Sequence, residues 1–187
     1  IKWHRLAAKQ GSMIAQNHLG SMYAVGDSVQ QSYTEASKWY LLAAGQGYIA
    51  AQNFMGLRYR NGEGVVQNFK SALKWYRLAA DQGDAEAQYA LGEMYQLGEG
   101  VEVDLKAALR WYRSSAQNTY AEAQHALGLM FEAGKGVEQN LKEAIKWFRL
   151  SADQEYPHAQ HFIGLMYKIG QGFRKSHSEA VKWFRLA

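Results

Sequence analysis

The sequence contains no cysteine and only one proline, Pro157. Without thiols there can be no disulfide, thiolate metal site or cysteine nucleophile. That absence leaves the compartment open. No apolar run approaches the roughly 18 residues needed to cross a bilayer, and no signal-peptide pattern is visible. No Gly-x-Gly-x-x-Gly or P-loop is present to cradle a phosphate. Charge is not concentrated in one sign: 21 basic and 17 acidic residues leave a net charge of +4. This mild excess suits solubility and does not imply nucleic acid. What is present is a chain of 187 residues, 48% hydrophobic and 13% aromatic, enough to bury a core in one or two domains and too apolar to be disordered. Its 18 glycines against one proline require a positional explanation.

That explanation is a repeat. Trp3, Trp39, Trp75, Trp111, Trp147 and Trp183 are spaced 36 apart. Ala-Gln pairs keep the same register at 15–16, 51–52, 87–88, 123–124 and 159–160, and glycines recur at 20, 56, 92, 128 and 164 and at 26, 62, 98, 134 and 170. Self-similarity at such a period marks a repeat architecture.

Each unit reads as two helices. Helix A runs from about Ser12 to Val25 in the first unit, with Ala15, Leu19 and Tyr23 on one face. Gly20 beside that face implies close approach of the neighbouring helix backbone, since a mid-helix glycine otherwise costs about 0.5–1 kcal/mol. A turn such as Asn61-Gly62-Glu63-Gly64-Val65 reverses the chain. Ser28 replaces the second glycine in the first unit, where a different turn is expected. Helix B starts after Ser32, Asn68, Asp104, Asn140 or Ser176, all good N-caps. Glu35 and Glu179 follow two of these at capping-box spacing. Helix B is expected to bury Ala36, Trp39, Tyr40, Ala43 and Ala44, the indole anchoring each unit to the next. Pro157 falls at the start of the last helix A, where its missing N–H costs nothing.

The pattern resembles the Sel-1-like repeat family, a relative of the tetratricopeptide repeat. The resemblance rests on Ala87-Gln88-Tyr89-Ala90-Leu91-Gly92-Glu93-Met94-Tyr95, then Gly98-Glu99-Gly100-Val101 and Ala108-Leu109-Arg110-Trp111-Tyr112. It implies a right-handed superhelical α-solenoid of antiparallel helix pairs over residues 1–187. The expected repeats are 12–47, 48–83, 84–119, 120–155 and a truncated 156–187, preceded by a helix B at 1–11. The chain begins at Ile1 and ends at the equivalent point of the repeat, which reads as a piece of a longer, bacterial protein. Thr119 and Glu155 stand where Gly47 and Gly83 end earlier units, and are expected to alter the angle between units. The resemblance also implies an adaptor without catalytic residues, metal or cofactor. The compartment it suggests is periplasmic, secreted or endoplasmic-reticulum luminal, with the cytoplasm left open.

If helix A lines a concave surface, its positions opposite the core stripe would hold a protein or peptide partner. The first unit contributes Ile14, Asn17, His18 and Ser21. The candidate set in later units is Phe54, Leu57, Tyr89, Glu93, His125, Leu129, His161, Phe162 and Leu165, with Glu86, Glu122 and His158 beside them. Aromatic anchors among polar residues suit protein recognition. Phe54, Tyr89 and Phe162 are expected to be exposed. Leu57, Leu129 and Leu165 serve either the partner or the joint between adjacent A helices. The outer face of helix B carries 14 of the 21 basic residues, including Lys38, Lys74, Arg110 and Lys146. This ladder is either a solvated face or an electrostatic grip on an anionic partner; no nucleic acid is expected, because no aromatic stacking platform accompanies it. Ser71-Ala72-Leu73-Lys74 fits the Ser-x-x-Lys pattern of penicillin-recognising hydrolases but lacks its companion motifs. His125, His158 and His161 could approach one another as zinc ligands. Neither end supplies a polar capping unit, so end-to-end self-association is expected.

Overall fold

The structure, a computed structural model, describes residues 2–187; Ile1, the first residue of the expected leading helix, lies outside them. The described residues form eleven α-helices and no strand. Helix B of the leading unit is α1 (Lys2–Lys9). The five helix A segments are α2 (Met13–Val25), α4 (Ile49–Asn61), α6 (Ala85–Leu97), α8 (Ala121–Ala133) and α10 (Pro157–Ile169). The helix B segments that follow them are α3 (Tyr33–Gly45), α5 (Phe69–Ala80), α7 (Leu105–Gln117), α9 (Leu141–Ala152) and α11 (His177–Leu186). Consecutive helices pack within repeats, as in α2 on α3 and α8 on α9, and between repeats, as in α3 on α4 and α9 on α10. The chain divides into two compact units, residues 1–94 with 98–102 and residues 95–97 with 103–187.

The hairpin of each repeat closes on an aromatic ring. Tyr40, Tyr76, Tyr112 and Phe148, each following the tryptophan, are buried to within 2%. A Cβ at Gly20 would stand 2.6 Å from the Tyr40 ring, and one at Gly56 or Gly128 would stand 2.5 Å from Tyr76 or Phe148. The mid-helix glycine therefore accommodates a ring from its own repeat, not the backbone of a neighbouring helix. The expected role of tryptophan changes accordingly. Trp39, Trp75, Trp111, Trp147 and Trp183 are half-buried and Trp3 is exposed. Trp39 reaches back onto Ala8, Ala15 and Leu19, and Trp75 onto the cluster around Ala36, Tyr40 and Met55. They cover the joint between repeats, whereas the residue after them fills the core of its own hairpin.

The Ala-Gln pairs tie repeats together. Gln16, Gln52, Gln88, Gln124 and Gln160 are buried, and each donates from Nε2 to a carbonyl eight residues back, at Ala8, Ala44, Ala80, Ala116 and Ala152, over 3.1–3.3 Å. These carbonyls belong to the last turn of the preceding helix B, which has no intrahelical donor for them. Gln46, Gln82 and Gln154 in turn donate to Oε1 of Gln16, Gln52 and Gln124.

All five predicted N-caps accept a helix N–H on their side chains. The capping box is only half formed. The backbone N–H of Ser32, which Glu35 would have bonded, donates instead to the Tyr23 carbonyl, and Ser176 does the same to Tyr167. Glu35 and Glu179 pair with Lys38 and Lys182 at 2.6 Å. Pro157 opens α10 as expected.

In the A–B turn, Gly62 caps α4 at φ 75° and Gly64 sits at φ 74° against the backbone of Tyr33 and Thr34 in the preceding helix B. Ser28 takes the same left-handed conformation at φ 56°, so the first turn is kept despite the substitution. Thr119 and Glu155 also adopt it, at φ 60° and 61°. Nothing lies within 4 Å of a Cβ at the equivalent Gly47 or Gly83, so a side chain is sterically admitted there and the cost is backbone strain alone.

Two predictions follow for stability, measured by chemical denaturation. Thr119→Gly and Glu155→Gly should each stabilise the protein by about 0.5–1 kcal/mol, with the larger gain at the β-branched threonine. Gly56→Ala should destabilise it by about 1–2 kcal/mol, because the added methyl overlaps the Tyr76 ring and outweighs the gain in helix propensity.

Candidate functional site

The helix A face is built differently in the two units. In the first, its centre is Arg60, in the last turn of α4. Its Nη1 donates to Glu93 Oε2 at 2.8 Å and its Nε donates to Glu99 Oε2 at 2.7 Å. Glu93 Oε1 accepts from the Tyr89 hydroxyl at 3.1 Å. Burial alone would lower the Arg60 pKa, but the hydrogen bonds and charges of Glu93 and Glu99 overcome it and hold the guanidinium firmly protonated. Beside it, burial pushes the Tyr76 phenol up, partly offset by the Arg60 charge. Two turns back on α4, Asn53 donates from Nδ2 to Glu86 Oε2 at 2.8 Å, joining α4 to α6 a second time.

In the second unit the same face is made of rings. His125 on α8 lies with its centroid 5.5 Å from Phe148 and Tyr156, 6.2 Å from Phe162 and 6.3 Å from His158. Phe162 in turn lies 4.5 Å from Phe148. At this position of the hairpin core Tyr76 and Tyr112 carry hydroxyls, the latter donating to Gln96 Oε1, whereas Phe148 has none. Burial, and secondarily the neighbouring His158, bring the His125 pKa down from 6.5 to about 4.

The structure brings Tyr89 and Glu93 together by a direct hydrogen bond, beside Arg60, and His125 and Phe162 together through the ring cluster. It does not expose the aromatics as expected. Phe54 is half-buried and stacks on Tyr40 at 4.8 Å, Phe162 covers Phe148, and Tyr89 is half-buried and hydrogen-bonded. Each lies over a helix B ring or a neighbouring side chain, because the ring in the hairpin core reaches the far side of helix A. Asn17, expected on the open face, is buried. Leu57 and Leu165 are half-buried, while Leu129 and His161 are exposed, His161 lying 5.2 Å from the Phe184 ring. His161 has no ring contact with the His125–His158 pair, and no group of three metal-ligating side chains occurs among the described residues.

The open grooves lie elsewhere. One of about 490 Å³, at the loops joining helix B to the next helix A, is lined by Met13, Tyr48, Ile49 and Gln82 among others and by none of the predicted partner-binding residues. Part of the basic ladder is engaged. Lys38, Lys146 and Lys182 pair with a glutamate one turn back; Arg5 donates to the Tyr23 hydroxyl; Arg113 and Arg149 lie over the Phe131 and Phe173 rings. Ser71 sits in the first turn of α5, its N–H bonded to Asn68, with Lys74 exposed one turn on.

Sequence reading missed Arg60, Glu99 and Tyr156. Residues at the Arg60 position of the repeat are Ala24, Arg60, Gln96, Glu132 and Lys168, so no periodic signal marks them. The available cue was a separation of one period plus three: Arg60 pairs with Glu99, and Gln171 donates to Glu132, both 39 residues apart.

Arg60→Met should destabilise the protein by about 1–2 kcal/mol, since Glu93 and Glu99 lose a shared charged donor in a partly buried setting. In a double-mutant cycle with Glu93→Gln, the two losses should be non-additive by about 1 kcal/mol. Additive losses would show that the ion pair contributes nothing.

Comparison with known proteins places these features. The Sel1 repeat model matches residues 1–12, 14–48, 49–84, 85–120, 121–156 and 157–187. The chain is similar in structure to c5321, a protective antigen of uropathogenic Escherichia coli strains with an SLR fold, at 34% identity and a TM-score of 0.93. That match covers 99% of this chain and 40% of the E. coli protein, so the chain spans well under half of that relative. A Sel1 repeat protein from Oxalobacter formigenes is 31% identical with a TM-score of 0.89, over 94% of this chain and 72% of that one. A Sel1 repeat protein of Klebsiella pneumoniae, 21% identical with a TM-score of 0.61 over 98% of this chain and 89% of its own, shares the fold. A search of curated proteins gave no match. Repeats of this kind are generally protein–protein interaction scaffolds and typically non-enzymatic. The helix pairs, their glycine and glutamine register and these likenesses agree: the chain belongs to the Sel1 repeat family.

Proposed function

We propose that the protein is an adaptor that holds a protein or peptide partner on the helix A face, through Phe54, Leu57, Tyr89 and Glu93 in the first unit and His125, Leu129, His161, Phe162 and Leu165 in the second. The observation that carries this reading is the division of labour between the two helices. The periodic residues of both helices are consumed in packing, while the helix A face changes chemistry from repeat to repeat. At one position it bears Ser21, Leu57, Glu93, Leu129 and Leu165 in succession. Packing alone would favour a uniform residue there, whereas recognition of one partner requires a varied surface.

The half-buried aromatics give the face a fixed shape and are not free anchors. Phe54 and Phe162 are held by stacking and Glu93 by Arg60, so a partner meets side chains already ordered, which reduces the entropy lost on binding. Contact with the partner then falls to the exposed members, Leu129 and His161. The outer basic face supports a solvated surface better than an anion grip, because several of its lysines and arginines already have partners.

A test that separates the readings starts from partners captured by the parent protein and identified by mass spectrometry. Leu129→Glu and His161→Glu should each weaken the captured complex at least about tenfold, or about 1.4 kcal/mol, without lowering the melting temperature. Lys74→Glu on helix B should leave affinity unchanged. If only the helix B change weakens binding, and affinity falls steeply with salt, the partner is held electrostatically and the helix A reading fails. Exposed Trp3 and Leu6 on α1 and Val181 and Leu186 on α11 support self-association of this chain at high concentration. Sedimentation over a dilution series should show a mass that rises with concentration.

A further inference from the structure

We propose that His125 and His158, with the rings of Phe148, Tyr156 and Phe162, form an acid-released clasp that holds α8 against α10 when both imidazoles are neutral and loosens when they gain protons.

The geometry sets up the clasp. His125 is half-buried on α8 and touches three aromatic rings from two other helices and the loop before α10, all within 6.2 Å. A neutral imidazole packs among such rings as a flat, weakly polar plate. A charged one must shed water on the sides that the rings cover, and burial penalises that form. Aromatic faces recover part of that cost by cation–π attraction, but the arrangement here is largely tilted or edge-on: the interplanar angle is 81° to Phe162 and 61° to Tyr156. In an edge-on pair one ring turns its positive rim toward the other.

The charged groups around His125 do not provide a counter-ion. From α9 the neighbour is uncharged Phe148, and from the loop it is the Tyr156 phenol. From α10 come uncharged Phe162 and His158, whose ring centroid is 6.3 Å away and whose charge, once acquired, repels a second one. On α8 itself the nearest carboxylate in sequence is Glu122, three residues back. His158 is exposed, and its charge disfavours a proton on His125, so two charged imidazoles oppose each other across the α8–α10 joint.

The sign of the linkage follows. His125 has a pKa of about 4 in the folded chain against 6.5 for the free side chain, so between these values the unfolded chain binds the extra proton. Stability is full above about pH 6.5 and is lost as pH falls toward 4. The site is partly solvated, so the expected shift of the unfolding equilibrium over that window is roughly 10- to 100-fold. A lone exposed histidine would give none. The clasp lies on the helix A face, but it stands whether or not that face binds a partner.

The test uses the whole chain and needs no ligand. The six imidazoles are followed by NMR from pH 7.5 to 3.5, with thermal unfolding measured over the same range. The clasp predicts a His125 midpoint near 4, with ring signals of Phe148, Tyr156 and Phe162 shifting at the same pH. His125→Phe keeps a ring in the box and should flatten the stability profile between pH 6.5 and 4.5 relative to the unchanged protein. His158→Gln removes the repelling charge from an exposed position and should raise the His125 midpoint. A His125 midpoint between 6 and 7, or a stability profile that neither substitution changes, would overturn the proposal. If His125→Phe does not fold, the His158→Gln titration decides the matter alone: an unmoved His125 midpoint refutes the pairing.

Discussion

A flat aromatic ring lying on a glycine is the contact from which the remaining structure follows. The ring that follows the tryptophan is buried at Tyr40, Tyr76, Tyr112 and Phe148 and half-buried at Phe184, and at Gly20, Gly56, Gly128 and Gly164 a methyl group would collide with it. Burying such a ring is worth about 1.5–3 kcal/mol, which more than offsets the cost of about 1 kcal/mol for a mid-helix glycine. With the two helices of the hairpin this close, the small residues on either side, Ala36, Ala43 and Ala51 among them, complete a dense core. The joint to the preceding repeat is then closed by the tryptophan and by the buried glutamine that satisfies its last-turn carbonyl.

This division frees the other side of helix A. Because the ring and glycine settle the hairpin, residues facing away need only be compatible with helix. In the first unit that side became an ion-paired network around Arg60, bonded to Glu93 and Glu99. In the second it became a box of rings around His125, resting on Phe148. The same backbone thus presents an ion-paired surface around Arg60 in one unit and, in the other, an aromatic surface around His125 whose state depends on proton concentration. On both surfaces some outward side chains rest on a core ring or a paired neighbour, as Phe54, Phe162 and Glu93 do.

The comparison of sequence with structure is sharpest at the positions that break the pattern. Ser28, Thr119 and Glu155 replace glycines, and a local reading expects altered turns there. All three nevertheless adopt positive φ, because the helices on each side fix the path of the chain and the open space around the Thr119 and Glu155 positions admits a side chain. Glu35 shows the reverse. Its spacing from Ser32 is that of a capping box, but the backbone donator it would bond is already taken by the Tyr23 carbonyl from the preceding helix, a partner that no local rule can see.

The sequence by itself determined the helix pairs, their N-caps, the 36-residue register and the family, because these depend on periodicity and short-range hydrogen bonding. Only tertiary structure decided that the tyrosine or phenylalanine, and not the tryptophan, fills the hairpin core, that Phe54 and Phe162 lie against those rings, and that Arg60 meets Glu99. Each of those outcomes depends on which side chain reaches furthest across a joint between helices, and that distance is set by the packing of the pair and not by any spacing along the chain.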